Sequence, residues 1–417
     1  MVNTSNLHKT PLSYTITLLC STMFLVSPYR LFGVHMPDLF CLIAGLLSFV
    51  VLLQNGKGLP YTKPYLHFFF YLLLVPPLVT IALGVPGNIG QTLLPTGIII
   101  FTIWMLSLNS LIDYNRILHI YRFIVFFSIA FFYFQELSYL ALGVRPTLYI
   151  PFLSPYYDNF AITDLSESRS ALDRSSSLFL ESAHFVEFIL PYICIRFFEY
   201  IKKRKNIVEI IFLLLTIVVA QSGCGYIEAI FVGLYFFLSQ YKANLIVKLG
   251  VVFFIILIIL GILIIIPDNP IVVGIIERSS EFSTTVEAYG PKSGFKRLFW
   301  GYFVYDSMDV WNKLFGLGIG SVEYMFNKTY IPGLNPNANF MNGIQASLIY
   351  GGILGTWLLS RFVFMLIRKM TVVSQAIMIA MIGLFFCELM FNNFKTFHYL
   401  LIAYCYNLKV KYAYDSE

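Results

Sequence analysis

The stretch RSSSLFLESAHFVEFILPYICIRFFEYIKKRK, Arg174 to Lys205, decides how this chain is read. It opens on charged and hydroxyl side chains, continues through an apolar core, and closes on the basic cluster Lys202, Lys203, Arg204 and Lys205. An apolar run of about 20 residues crosses roughly 30 Å of hydrocarbon, and a basic cluster at one end marks the cytoplasmic side. The stretch is therefore expected to be a membrane span that enters from the outer side near residue 177 and leaves near residue 199.

Composition extends that reading to the whole chain. Of 417 residues, 58% are hydrophobic and 12% charged, whereas soluble domains carry about 25% charged residues. Apolar runs recur at 11–28, 36–54, 64–84, 89–108, 117–142, 207–222, 224–240, 244–266, 343–366, 374–390 and 395–409. The expected fold is an all-α membrane protein of about 12 transmembrane helices, one polytopic domain over 1–417. The first run lacks a small-residue cleavage site and is expected to be retained. With both termini cytoplasmic, most of the 28 Lys and Arg fall on the inner side. Two long outer loops follow, 143–176 and 267–342; the second holds GFKRLFWGYFVYDSMDVW (Gly294–Trp311), whose aromatic residues recur at helical spacing as in an interfacial helix.

Several function classes find no support. The net charge of +6 is dispersed, with no basic-aromatic tract, so nucleic acid is not an expected partner. The six cysteines show no CxxC and no metal-ligand spacing. ESAH has the Glu-x-x-His spacing of di-iron bundles but no second copy, HFVE is not HExxH, and no GxSxG occurs. GLGIGS, Gly316–Ser321, is neither a Walker nor a Rossmann fingerprint. No carboxylate cluster stands out in the outer loops, so no essential metal and no cofactor are expected.

What remains is polar chemistry at the outer ends of spans. On a helix, Arg174, Ser177, Glu181 and His184 would form one polar stripe, with Glu187 on its edge and Phe179, Ala183 and Val186 opposite. A charge facing lipid costs about 3 kcal/mol or more, so these groups should face a partner or a water-filled cavity. An internal ion-pair network and an outward-open site both satisfy that demand. QSGCGY (Gln221–Tyr226) offers glycines for a tight turn, and the second loop carries Arg278, Lys296, Arg297 and Asn335, Asn337, Asn339 and Asn342. Guanidiniums suit phosphate, and asparagines with aromatic faces suit sugars.

Taken together, RSSSLFLESAHF (Arg174–Phe185), SGCGY (Ser222–Tyr226) and the order Arg297, GLGIG, NGIQASLIYGGILG (Asn342–Gly355) resemble the Wzy-type polysaccharide polymerases, relatives of the O-antigen ligases. The resemblance covers about the C-terminal 60% of the chain; the earlier spans match only in being apolar. Ser182 stands where that family usually has proline. The resemblance implies a GT-C-like bundle with a long extracytoplasmic loop. It implies a metal-independent glycosyltransferase of the bacterial cytoplasmic membrane, joining undecaprenyl-pyrophosphate-linked oligosaccharide units for O-antigen, capsule or exopolysaccharide. Its partners would be that lipid-linked substrate, membrane lipid, a chain-length regulator and a flippase. Glu181 or His184 would take the acceptor's proton, and Arg278 and Arg297 would hold the leaving pyrophosphate. Arg174, Ser222, Gly223, Gly318, Asn342 and His398 would contact substrate. An O-antigen ligase and a lipid-linked oligosaccharide flippase are the competing expectations.

Overall fold

The computed structural model describes residues 11–54, 63–84, 97, 112–146, 148, 153–155, 174–239, 244, 247, 293–318, 341–388 and 394–414. These form twelve helices and one small sheet. In chain order they are α1 (Pro11–Thr22), β1 (Tyr29–Leu31), β2 (Val34–His35), α2 (Met36–Gln54), α3 (Lys63–Ala82), α4 (Tyr114–Leu142), β3 (Ser154–Pro155), α5 (Ser182–Lys203), α6 (Ile207–Ala220), α7 (Gly223–Ser239), α8 (Ser293–Asp306), α9 (Val310–Phe315), α10 (Gly343–Arg368), α11 (Val372–Phe385) and α12 (Phe394–Tyr414). Every expected apolar run except 89–108 and 244–266, which lie largely outside the described residues, coincides with a helix. Most of 143–176 and 267–342 also lies outside them.

Helix ends follow local chemistry. Asp113 caps α4 by accepting from the Arg116 amide at 3.0 Å, and Gly143, left-handed at φ 70°, ends it. The 29 residues between span about 44 Å. Asn342 and Gln345 form a reciprocal capping box at the start of α10. Tyr114–Leu142 and Gly343–Arg368 are the two helices, among the described residues, long and apolar enough to cross a membrane. The outward faces of shorter helices are apolar as well: on α6, Val208, Ile211 and Leu215 are exposed while Ile210, Leu213 and Ile217 are buried. A helix apolar on all sides has no face for water, which is consistent with a helical membrane protein.

Beside the helices, seven residues form one small three-stranded sheet. β1 pairs antiparallel with β2, Leu31 opposite Val34, and with β3, Arg30 opposite Ser154. Phe32 and Gly33 both have positive φ, 52° and 78°, as a two-residue type I′ hairpin requires. Phe-Gly lacks the usual Asn-Gly signature, so the hairpin was not legible locally. Its pairing puts the α1–α2 connection and Ser154–Pro155 of the first long loop together.

The described part of the second long loop, 293–318, packs against the bundle. After α8 and α9, Leu317 and Gly318 donate to Ile349 O and Tyr350 O at 2.8 and 3.0 Å, about 9–11 Å along α10 from its start. Those carbonyls belong to a kink where Gly352 leaves helical geometry at φ 63°. Thr80 of α3 donates to Leu317 O at 2.7 Å, and the Tyr71 hydroxyl lies 2.9 Å from both Phe315 O and Gly351 O. The end of this segment packs between α3 and α10, where its backbone groups find partners.

Gly316 combines φ 90° with an ideal Cβ position 2.2 Å from Tyr350 O. Gly316→Ala is expected to lower stability by about 3 kcal/mol, whereas exposed Gly233 in α7, with nothing within 4 Å of its ideal Cβ, gains helix propensity on conversion to Ala. Thermal unfolding of the two variants in detergent micelles checks the contrast.

Candidate functional site at the ends of five helices

The polar stretch before α5 is a turn, not the first part of a helix. Gln135 of α4 grips it from both sides: the Ser177 amide donates to Gln135 Oε1 at 2.7 Å, and Gln135 Nε2 donates to Ser177 O at 3.3 Å. The Ser177 hydroxyl donates to Ser128 O, and its φ of 57° breaks any helix running through it. The expected stripe is therefore corrected. Arg174 and Ser177 precede the helix, Glu181 is its extended N-cap, and only His184 and Glu187 are on it.

Arg174 turns towards α6 and donates to Gln221 O at 2.7 Å, the end where carbonyls carry the negative pole of the helix dipole. Ser222 is buried and accepts the Gly225 amide at 3.2 Å, starting α7. Nothing lies within 4 Å of where a Gly223 side chain would be, but a Cβ on Gly225 would meet Val186 at 2.3 Å. The second glycine of SGCGY thus lets α7 press against α5 beside Glu187.

That close approach assembles a charged centre. Lys395 of α12, 2% exposed, places Nζ 2.7 Å from Glu187 Oε2 and also bonds Glu388 Oε2, just beyond α11. Glu187 is wholly buried, and its Oε1 has no hydrogen-bond partner among the described residues. Arg297 of α8 lies across Glu388: Nη1 is 3.8 Å from Glu388 Oε1, 3.5 Å from Cys224 Sγ and 3.2 Å from Cys387 O. Burial works against its charge, yet the neighbouring Cys224 thiol and the Glu388 and Glu181 carboxylates hold its proton more tightly than in free arginine. Asn342 donates to Arg297 O at 2.9 Å, so the α10 capping box also anchors the helix that presents the guanidinium. Deeper in, Glu228 of α7, wholly buried, accepts from the Tyr399 hydroxyl.

The expected site residues separate accordingly. Arg297, His184, Ser222 and Asn342 meet at this centre or hold its walls, with exposed Glu181 at its rim. His398 is boxed by Phe24, Tyr121 and Phe188, with ring centroids 4.9–5.2 Å away. Gly318 packs on Pro76 and Pro77 as part of the α10 junction. Arg278 lies outside the described residues, as do Asn335, Asn337 and Asn339. Missed altogether were Glu187's partner Lys395, together with Glu388, Glu228, Cys224 and Cys387. Glu228 and Glu388 are ionisable groups in apolar runs, and the argument that drew attention to Glu181 applied to them equally.

His184, Glu187 and Glu388 offer ligand atoms within 4.8 Å of one another, a spacing that suits a metal ion. The donor set does not fit one here, because the Lys395 ammonium already lies against both carboxylates. A cation and an ammonium in that space would repel across a few ångströms of low dielectric.

No family model matches this chain, and no curated protein matches it in sequence.

Lys395→Met strands Glu187 without its cation and is expected to cost about 3–5 kcal/mol. Adding Glu187→Gln should recover most of that, since Glu388 keeps Arg297. Unfolding midpoints of the single and double variants in micelles measure the recovery.

Proposed function

We propose that the chain is a membrane-embedded polysaccharide polymerase, a GT-C-type glycosyltransferase. It joins oligosaccharide units carried on undecaprenyl pyrophosphate at the outer face of the bacterial cytoplasmic membrane, through about twelve spans with both termini inside. The observation that carries this reading is Arg297. Its Nη1 is committed to Glu388, Cys224 and Cys387, while Nε and Nη2 make no hydrogen bond among the described residues and the side chain is 30% exposed. A guanidinium anchored by one nitrogen presents the remaining edge as a bidentate donor, the geometry that phosphate oxygens accept. The charged centre also gathers at helix ends that the positive-inside pattern assigns to the outer side, where lipid-linked units await assembly.

In this mechanism the acceptor hydroxyl attacks the donor's anomeric carbon. The new C–O bond forms as the bond from that carbon to the pyrophosphate oxygen breaks, and undecaprenyl pyrophosphate departs with the electron pair. Arg297 stabilises the charge growing on that leaving group, an effect of several kcal/mol in a site of low dielectric. Glu181 takes the hydroxyl proton. It is exposed, it caps α5 without spending its carboxylate on a backbone amide, and it lies close enough to Arg297 for the two charges to interact. His184, partly buried and hemmed by Glu187 and Glu388, positions that end of α5. Neither role requires a nucleotide or a metal.

Loss of the chain should leave single repeat units on surface glycolipid or carrier. Long chains stranded on the carrier would indicate a ligase instead, and units trapped on the cytoplasmic face a flippase. Arg297→Lys, at unchanged protein level, keeps the charge but loses the planar fork. It should lower polymer formation about 100-fold, assayed with lipid-linked units and purified protein. Glu181→Gln should do likewise while His184→Gln retains measurable polymer; the reverse order would transfer the base's role to His184.

A further inference from the structure

Two of the free cysteines, Cys224 and Cys387, lie beside Arg297. Helices α7 and α11 run antiparallel in close contact, with Tyr235 donating to Gln375 at one end and Gly383 seated on Glu228 at the other. An ideal Cβ on Gly383 would lie 3.1 Å from Glu228 Cα, so the two Cα atoms are within about 4.6 Å of each other. One turn further towards the charged centre, α7 presents Cys224 and the continuation of α11 presents Cys387. Arg297 Nη1 touches both residues, at Cys224 Sγ and Cys387 O, and the Cys387 thiol reaches back to Gly383 O at the point where the two helices meet. A disulfide needs Cα atoms about 4.4–6.8 Å apart. The pairings Tyr235–Gln375 and Glu228–Gly383 set an antiparallel register that brings Cys224 opposite Cys387 one turn, about 5.4 Å, further on, so the pair is placed within reach of that requirement.

We propose that Cys224 and Cys387 are a disulfide-forming pair that covalently pins α7 to α11 beside Arg297. The proposal rests on the polymerase reading only in placing the pair at the outer, oxidising side of the membrane, where disulfides persist. The oxidant is an external disulfide, either a carrier protein's or a small molecule's. Cys224, beside the partly exposed Arg297, loses its proton and attacks one oxidant sulfur; the oxidant's S–S bond breaks and releases one thiolate, leaving a mixed disulfide. Cys387 then loses its proton and attacks the Cys224 sulfur, expelling the second thiolate. Two electrons pass to the oxidant, and the two protons lost by the cysteines balance the thiols it becomes. The remaining thiols cannot compete at this site. Cys20, Cys41 and Cys405 are buried elsewhere in the core, and Cys194 lies on α5 well past the charged centre.

The full-length chain, purified in detergent, is treated with oxidised glutathione or with dithiothreitol, alkylated, and analysed by mass spectrometry. Oxidised protein should lack two hydrogens, leave two cysteines unalkylated, and yield one linked peptide pair containing Cys224 and Cys387; its thermal midpoint should rise above that of reduced protein. Cys387→Ser should abolish the link and the rise, whereas Cys405→Ser should preserve both. Six alkylated cysteines after oxidation, a link between other cysteines, or an unchanged midpoint in linked protein would overturn the proposal. No sugar substrate enters this experiment. A linked pair in a chain that makes no polymer therefore refutes the polymerase reading alone, and reduced thiols in an active polymerase refute the disulfide alone.

Discussion

An ammonium ion that water scarcely reaches needs anions around it, and Lys395 obtains two, Glu187 and Glu388, from separate helical segments. Leaving that charge unpaired in a low-dielectric interior would cost far more than any single packing contact contributes. The position of α12 against α5 and the end of α11 is thereby fixed in part by charge. Glu388 is shared between Lys395 and Arg297, so the same carboxylate that completes the buried pair also orients the partly exposed guanidinium. The buried ammonium and the partly exposed guanidinium belong to one continuous network.

Glycines make this arrangement sterically feasible. Gly225 admits Val186 and with it the α5 turn that carries Glu187, and Gly383 lets α11 come down onto the backbone of Glu228. At the other side of the bundle, Gly316 and Gly352 meet backbone to backbone, where the re-entrant segment joins the α10 kink. Small residues where helices touch are what apolar surroundings favour, since lipid removes the hydrophobic incentive for helices to associate. A second ionic lock, Arg196 with Glu199 and Glu209, ties the far half of α5 to α6. The central helix is held at both ends by charge and between them by close packing.

Helix positions were legible because apolar runs of membrane length state themselves. Met36–Gln54 and the segment starting at Ile207 begin where the hydropathy pattern begins. The start of α5 was not, because helical spacing of Arg174, Ser177, Glu181 and His184 is a necessary condition for a stripe and not a sufficient one. The competing bonds from Gln135 lie 42 residues away in sequence. The centre itself was half visible. Glu181, His184 and Arg297 carry motif-like surroundings, but Lys395 looks like an ordinary flanking lysine until folding brings it to Glu187. Ion pairing between distant spans leaves no local signature, and neither does the approach of Cys224 to Cys387.

The three-stranded sheet bears on how the chain is made. β1 emerges after the first helix, yet its second partner, β3, is more than a hundred residues further on, a separation matched by the Tyr29 to Leu148 hydrogen bond. While the intervening residues are synthesised, one edge of the β1–β2 hairpin lacks its second strand. Closing that edge requires the segment after α4 to have reached the same end of the bundle. Strand pairing thus ties the earliest part of the bundle to a later one: β1 completes its hydrogen bonding only after roughly 120 more residues have been made and packed.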